Sequence, residues 1–425
     1  MQIEFAFGKT GLKACLPDGP EWVELRVKWA ESLADPLEAI EQALDAPIGC
    51  QPLVEMAKGK ESAAISVCDI TRPAPNRLTL PPVLRRLEAA GIAKQNTRIL
   101  IATGLHRAAT QAEINEILGE EIAAAYPVVN HYARHRDDHE WLGHTRSGTP
   151  VYVDKRYVSA DLHITLGFIE QHLMAGFSGG RKLIAPGLAF EETIRTLHSP
   201  RFMRDPRAVE GSVEQNPLHN ELLEISQMAG HDFAMDVVLA EGRRIASVFA
   251  GQPAEAHRTG VDFVRRETTQ WIDGPVEAAV TTAAGYPLDL TFYQAVKGVT
   301  AASHLVRPGG IILLLAACNE GPGASEFARL LKESPDAEKF LRTIEDSPVV
   351  IDQWQLEKLA LVCQTHRVWF YTPGLPSEYH SSLWGKIFPS AEAAFEALAR
   401  EIGPGKRVAV IPEGPYVFAR PHAEG

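Results

Sequence analysis

The sequence predicts an α/β protein of two domains, each with a mostly parallel sheet flanked by helices. Three observations carry this. Apolar runs of strand length alternate with helix-period segments through most of the chain, the pattern of parallel strands joined by crossover helices. At 425 residues the chain exceeds what one compact core usually supports. A second series of such elements then begins near residue 269.

The elements follow in order. AAISVCD (63–69) reads as a buried strand, PPVLRRLEAAG (81–91) as a helix with proline near its start, and RILIATG (98–104) as the next strand, together a βαβ unit. Thr110 and Glu113 form a capping pattern that opens the helix after it. ADLHITLGFI (160–169) is the third strand. An irregular polar stretch over 199–216 precedes a helix at 217–229, and DVVLAEGRRIASVFAG reads as two strands about a Glu-Gly turn. The second series comprises strand 276–284, helix 290–303, strand 309–318, helix 324–334 and a final helix at 391–401, with strands in 406–420. The expected division is a first domain over 1–268, joined by 402–425, and a second over 269–401.

Composition excludes several classes. With 45% hydrophobic and 23% charged residues the chain is neither disordered nor membrane-spanning, and its longest apolar run, IILLLAAC, is far too short for a bilayer. A net charge of -12 argues against nucleic acid as partner. The five cysteines contain no CxxC pair, which argues against a disulfide framework or a cysteine-zinc site. No charged-then-apolar leader opens MQIEFAFGKTG, so a cytoplasmic location is expected.

Ligands of parallel sheets bind beyond the carboxyl ends of the strands. There CDITRP places Asp69 and Arg72, ATGLHR places His106 at a glycine-permitted turn, and GFIEQH places Gln171 and His172. Three successive strand exits thus deliver a carboxylate, a guanidinium and two imidazoles.

Next comes GFSGGRKLIAPG (176–187). It is not a Walker A loop, because Arg181 separates Gly180 from Lys182 and Leu183 stands where a hydroxyl is needed. The G-x-G-x-x-G pattern also fails. Ser178, Gly179 and Gly180 can still offer backbone N–H groups to a phosphate. Lys182, between Arg181 and Leu183-Ile184, reads either as a nucleophile of lowered pKa or as a phosphate-neutralising cation. His198 lies near a helix end and could ligate a metal.

Two further clusters compete. His131, His135, His139 and His144 would share a face if their stretch were helical, and a solvated polar loop is the alternative. TFYQAVKG puts Gln294 and Lys297 on one helical face beside Tyr293, suited to a carboxylate that bears an adjacent hydroxyl.

DITRP, ATGLHR, EQH, SGGRKLIAPG, TLHSP and YQAVKG occur here in an order that resembles the LarA-type nickel-pincer enzymes, the lactate racemase family. The resemblance runs over roughly residues 60–300. It implies a racemase or epimerase of a small 2-hydroxy acid, with the active site in the interdomain cleft. By resemblance, Lys182 covalently holds a pyridinium-3-thioamide-5-thiocarboxylic acid mononucleotide, the nickel-pincer nucleotide, whose phosphate Ser178, Gly179 and Gly180 would cradle. His198 would be the protein ligand to Ni2+, and Asp69 would lie near the nucleotide. His106 and His172 would be the paired acid and base, while Arg72, Gln294 and Lys297, beside Tyr293, would hold substrate. The implied reaction is hydride abstraction and return, which avoids the very unstable carbanion of direct proton removal. Cofactor-synthesis proteins would load the group. Two rival readings are a zinc hydrolase built on 131–144 and a non-enzymatic phosphate- or nucleotide-binding protein.

Overall fold

The structure, a computed structural model, describes residues 1–345 and 347–422. It divides into two compact units, one formed by Trp29–His198 with Asp205–Glu267, the other by Met1–Lys28, Ser199–Arg204 and the chain from Thr268 onward.

In the first unit six strands lie in the order Ile245–Gly251, Phe233–Leu239, His163–Phe168, Ala63–Cys68, Thr97–Ala102, Val128–Asn130. Only the edge strand Ile245–Gly251 runs antiparallel to its neighbour; all other pairs are parallel. Ala63–Cys68 and His163–Phe168 are buried at every residue, which is why they read as continuous apolar runs. Ile65, Val67, Ile99, Ile101, Ile164 and Leu166 fill the core beneath Val83, Leu84 and Leu87.

The helix expected at 81–91 spans Asn76–Ala89, with Pro81 and Pro82 inside it. Burial of Asn76, Thr79 and Leu80 anchors its first turns ahead of the prolines, so tertiary packing overrides the local breaker. The Thr110–Glu113 capping box forms as read.

Residues 131–144 form no α-helix, only a single 3-10 turn at Arg136–Asp138. His139–His144 is a strand of a hairpin with Pro150–Asp154. His131 and His139 meet, Nε2 to Nε2 at 2.9 Å, while His135 is exposed. Burial keeps both imidazoles of the pair below their ordinary pKa, helped at His131 by His139 and Arg156 and opposed at His139 by the His135 carbonyl, Asp154 and Asp138, so they share one proton as neutral rings. Among the described residues no group of three or more His, Cys, Asp or Glu is placed to hold a metal, so the zinc reading has no ligand set.

The second unit carries a six-stranded, fully parallel sheet in the order Gly385–Ile387, Arg367–Tyr371, Val306–Leu315, Val276–Thr282, Arg407–Ile411, Glu21–Glu24. Two expectations fail here. Residues 1–28 and 402–425 were expected with the first domain, yet Arg407–Ile411 pairs with Val276–Thr282 and Glu21–Glu24 pairs with Arg407–Ile411. Strand order reverses about Val276–Thr282, the kind of switch point at which parallel sheets open a ligand crevice. Around its exit the buried Asp289 accepts N–H groups from Gly8 (2.6 Å) and Ala317 (3.2 Å), tying the amino-terminal turn to two strand ends. All five cysteines are free thiols. No helix among the described residues is long and apolar enough to cross a membrane.

The helix Phe292–Ser303, which carries Tyr293, Gln294 and Lys297, begins with a cap from Thr291 and presses Phe292, Val296 and Val299 into the core. At Gly298 a Cβ would run into the carbonyl oxygen of Thr282. Alanine at an exposed helical glycine is stabilising by about 1 kcal/mol. Here the collision reverses the sign: Gly298→Ala should cost about 1–3 kcal/mol, seen as a lower midpoint of thermal unfolding.

Candidate active site

Three turns at the carboxyl edge of the first sheet build the site. After Ala63–Cys68 the chain turns through Asp69–Arg72, closed by Arg72 N–H to Asp69 O at 3.1 Å. Asp69 is 6% exposed, and both its oxygens are engaged: Oδ1 accepts from Thr71 Oγ1 at 2.7 Å and Oδ2 faces His106 Nδ1 at 2.8 Å. Burial would raise its pKa, but the bonds from His106 and Thr71 outweigh that and hold the carboxyl below its usual range. In this geometry the direct partner of Asp69 is therefore His106. Arg72 is exposed beside it.

His106 follows Thr97–Ala102. Thr103 Oγ1 donates to His131 O at 2.7 Å, and Gly104, at φ +53°, donates its N–H to Gly187 O at 3.0 Å. The turn that presents His106 thus rests on the Pro186-Gly187 end of the glycine-rich loop. A Cβ on Gly187 would lie 2.5 Å from Leu183 O and 2.9 Å from Ala102 Cβ, so close approach fixes glycine there.

The third strand, His163–Phe168, runs into a short hairpin that pairs Gln171–His172 with Gly176–Phe177. Ser178 staples its base: Oγ donates to Phe168 O at 2.9 Å and accepts from Glu170 N at 2.9 Å. His172 Nδ1 accepts from Ala175 N at 3.2 Å and Met174 N at 3.4 Å.

Arg181 is 2% exposed and turned into its own loop. It donates to the carbonyls of Ser178 (3.0 Å), Phe177 (2.9 Å) and Ala175 (3.3 Å), and Nη1 lies 2.6 Å from His257 Nε2. Asp236 Oδ2 accepts the Gly180 N–H at 3.0 Å, and burial pushes this carboxyl up to about 6. A Cβ on Gly179 would lie 2.6 Å from His257 Cδ2, and one on Gly180 would strike Thr165 Oγ1. Two of the backbone N–H groups read from sequence as phosphate donors are spent inside the fold, where they shape the loop: that of Ser178 on Glu170 O at 2.9 Å and that of Gly180 on Asp236.

This clamp delivers Lys182 in the short helix Arg181–Ile184, its N–H to Gly179 O at 2.9 Å and its carbonyl taking Gly187 N–H at 3.0 Å. Burial, then the charges of Arg181 and Arg72, lower the Lys182 amine to about 7, against a weaker pull from Glu170. His198 caps the helix Glu191–Leu197, and its Nδ1 lies 2.7 Å from Ile194 O. A carbonyl only accepts, so Nδ1 carries the proton and the ring's lone pair is on Nε2, the arrangement of a metal-ligating histidine. Burial, with the Lys182 charge adding to it, lowers this imidazole to about 4.

The structure thus groups Asp69, His106, His172, the glycine loop, Lys182 and His198 within one unit. Tyr293, Gln294 and Lys297 belong to the other, where Gln294 Oε1 is buried without a hydrogen-bond partner. Sequence reading passed over Arg181, Asp236 and His257 as working parts. The one available signal was Asp236, a carboxylate inside the apolar run FAMDVVL.

Residues 7–211 match the model of the lactate racemase N-terminal domain, and residues 273–419 that of the lactate racemase C-terminal domain. The lactate racemase of Thermoanaerobacterium thermosaccharolyticum is 34% identical over 423 residues, covering 98% of this chain and 99% of the relative. That of Lactiplantibacillus plantarum is 36% identical over 391 residues, covering 90% and 91%. Among solved structures, the lactate racemase apoprotein from Thermoanaerobacterium thermosaccharolyticum superposes with a TM-score of 0.91 over 99% of this chain and 100% of that one. A Thermotoga maritima protein of 17% identity shares the fold, with a TM-score of 0.66 over 91% of this chain and 98% of that one. The chain belongs to the lactate racemase family and is an isomerase.

Proposed function

We propose that this chain racemises or epimerises a 2-hydroxy acid with a nickel-pincer nucleotide held by Lys182 and His198. The observation that carries the reading is the placement of Lys182, on the short helix that closes the glycine loop, within electrostatic reach of His198, with burial lowering the amine to about 7 and so favouring its nucleophilic form. These residues fit the group. Lys182 offers the amine for a covalent acyl link, and His198 offers an Nε2 lone pair of low basicity that protons do not occupy. When bound, the group supplies reversible acceptance of hydride from carbon.

The remaining chemistry falls to side chains of this chain. His106 Nε2 takes the substrate's hydroxyl proton, and the Asp69 carboxylate at Nδ1 stabilises the imidazolium that forms. His172 is the partner acid and base for the opposite stereoisomer. Arg72 and Lys297 would bind the carboxylate through charge-assisted bonds, fixing it while the planar keto acid reorients. Gln294, on the same helix as Lys297, would hold the substrate's hydroxyl oxygen through its amide N–H. A small 2-hydroxy acid is the substrate class, and cofactor-synthesis proteins are the partners that loading requires.

Protein produced together with the cofactor pathway should carry a mass adduct on the Lys182 peptide, absent in Lys182→Ala; fully active, unmodified protein would end the proposal. In the same preparations His198→Ala should lose nickel while His135→Ala retains it, read by metal analysis. Chiral chromatography of 2-hydroxy acids with loaded protein should show racemisation or epimerisation that His106→Gln slows by about 10²–10⁴-fold, the usual contribution of a general base.

The apoprotein gives a separate check. Because its amine is lowered, Lys182 should be acylated by a small reagent with a rate that reaches half its maximum near pH 7. Surface lysines should follow only toward about pH 10.4. Peptide mass spectrometry across pH separates the two, and a Lys182 profile like that of the surface lysines contradicts the reading.

A further inference from the structure

The surroundings of His106 and His172 impose opposite tautomers on the two rings. Asp69 is a carboxylate that can only accept: Oδ1 is taken by Thr71, so Oδ2 at 2.8 Å draws the His106 proton to Nδ1 and leaves the lone pair on Nε2. At His172 the situation inverts. Its Nδ1 faces the backbone N–H groups of Ala175 and Met174, which can only donate, so the lone pair is on Nδ1 and the proton on Nε2. The ring is held there by a hairpin in which His172 stands opposite Gly176 and whose base Ser178 closes.

We infer that Asp69 is the positioning residue that makes His106 the competent base in this state, while the amides of Met174 and Ala175 latch His172 as a hydrogen-bond donor through Nε2. The inference deepens the racemase reading and rests on it for its purpose, but not for the tautomers themselves. When His106 Nε2 takes a proton, the imidazolium keeps its Nδ1–H bond to Asp69 and nothing moves. For His172 to take a proton at Nε2, the proton already there must be lost and one gained on Nδ1 by exchange with solvent. That sets a donor against two donors, so the ring must leave the two amides. The His172 ring is therefore the two-state element, and its release from the two amides sets when it acts as base.

The test is a long-range proton–nitrogen correlation spectrum of the full-length apoprotein with nitrogen-15 histidine, at about pH 8, above the ordinary imidazole range. His106→Gln and His172→Gln assign the two rings. Expected is a protonated Nδ1 for His106 and a protonated Nε2 for His172; the same tautomer in both rings, or averaging at His172, overturns the inference. In Asp69→Ala the His106 signals should move to an average of the two tautomers while His172 stays fixed. The His163 ring, held by Asp232 at 2.7 Å, is the internal control for an intact fold. A His106 ring unmoved by Asp69→Ala removes Asp69 from the positioning role. Opposite tautomers in apoprotein whose loaded form turns over no 2-hydroxy acid would uphold this inference and defeat the proposed function.

Discussion

A guanidinium buried inside its own loop is the constraint on which the site depends. Arg181 gives its N–H groups to three backbone carbonyls of residues 175–178 and approaches His257, and burial lowers it to about 9, against the pull of Asp236, so it stays charged at neutral pH. Bonds to a charged donor are worth about 1.5–3 kcal/mol each. Desolvating the ion costs several kcal/mol. The two nearly cancel, so the product of the arrangement is shape and field more than stability. The shape is the turn that presents Lys182 one residue further on, and the field is the positive charge that helps keep that amine neutral.

The glycines of the same loop follow from this clamp. Gly179 and Gly180 are required because His257 and Thr165 occupy the space of a Cβ, and Gly187 because Leu183 O and Ala102 do. A glycine-rich segment beside a lysine invites a phosphate reading, since both uses demand close backbone approach. Here the approach is to buried side chains. Asp236 then takes the Gly180 amide that a phosphate would have used, and its own burial raises it to about 6.

What could be read from the sequence was what local pattern encodes. The buried strands Ala63–Cys68, Thr97–Ala102 and His163–Phe168 stand out because a parallel strand covered on both faces is apolar at every position. Strand exits in turn named Asp69, His106 and His172. Sheet order is not local: nothing in KRVAVIPEG says that it pairs with Val276–Thr282, and the amino-terminal strand Glu21–Glu24 shows intermediate burial that carries little pattern. The His131–His139 contact was hidden for a similar reason. A spacing of four shares a face only in a helix and the stretch otherwise read as a solvated loop, but two tight turns, closed by His135 N–H to Tyr132 O and Asp138 N–H to His135 O, bring residues 131 and 139 together and leave His135 exposed. Asp69 was placed near the nucleotide by resemblance, which assigns roles by position; its hydrogen bond to His106 is a further relation that position alone does not carry.

A reaction that interconverts mirror images has an equilibrium constant of one, so kcat/KM is equal in the two directions whatever the enzyme's own asymmetry. If His106 and His172 are the acid and base as proposed, the difference between them therefore cannot favour one enantiomer at equilibrium. It can only decide which form of the free enzyme is populated and where in the cycle a rearrangement falls. His106 is fixed by a buried carboxylate that Thr71 also holds, a contact that stays favourable when the ring is charged. His172 is fixed by two long amide contacts of 3.2 and 3.4 Å in a two-pair hairpin, which an imidazolium would repel. In the proposed cycle the weaker of the two holds lies on the histidine whose tautomer changes, which would put the adjustable part on the glycine-loop side of the site and the rigid part on the Asp69 turn.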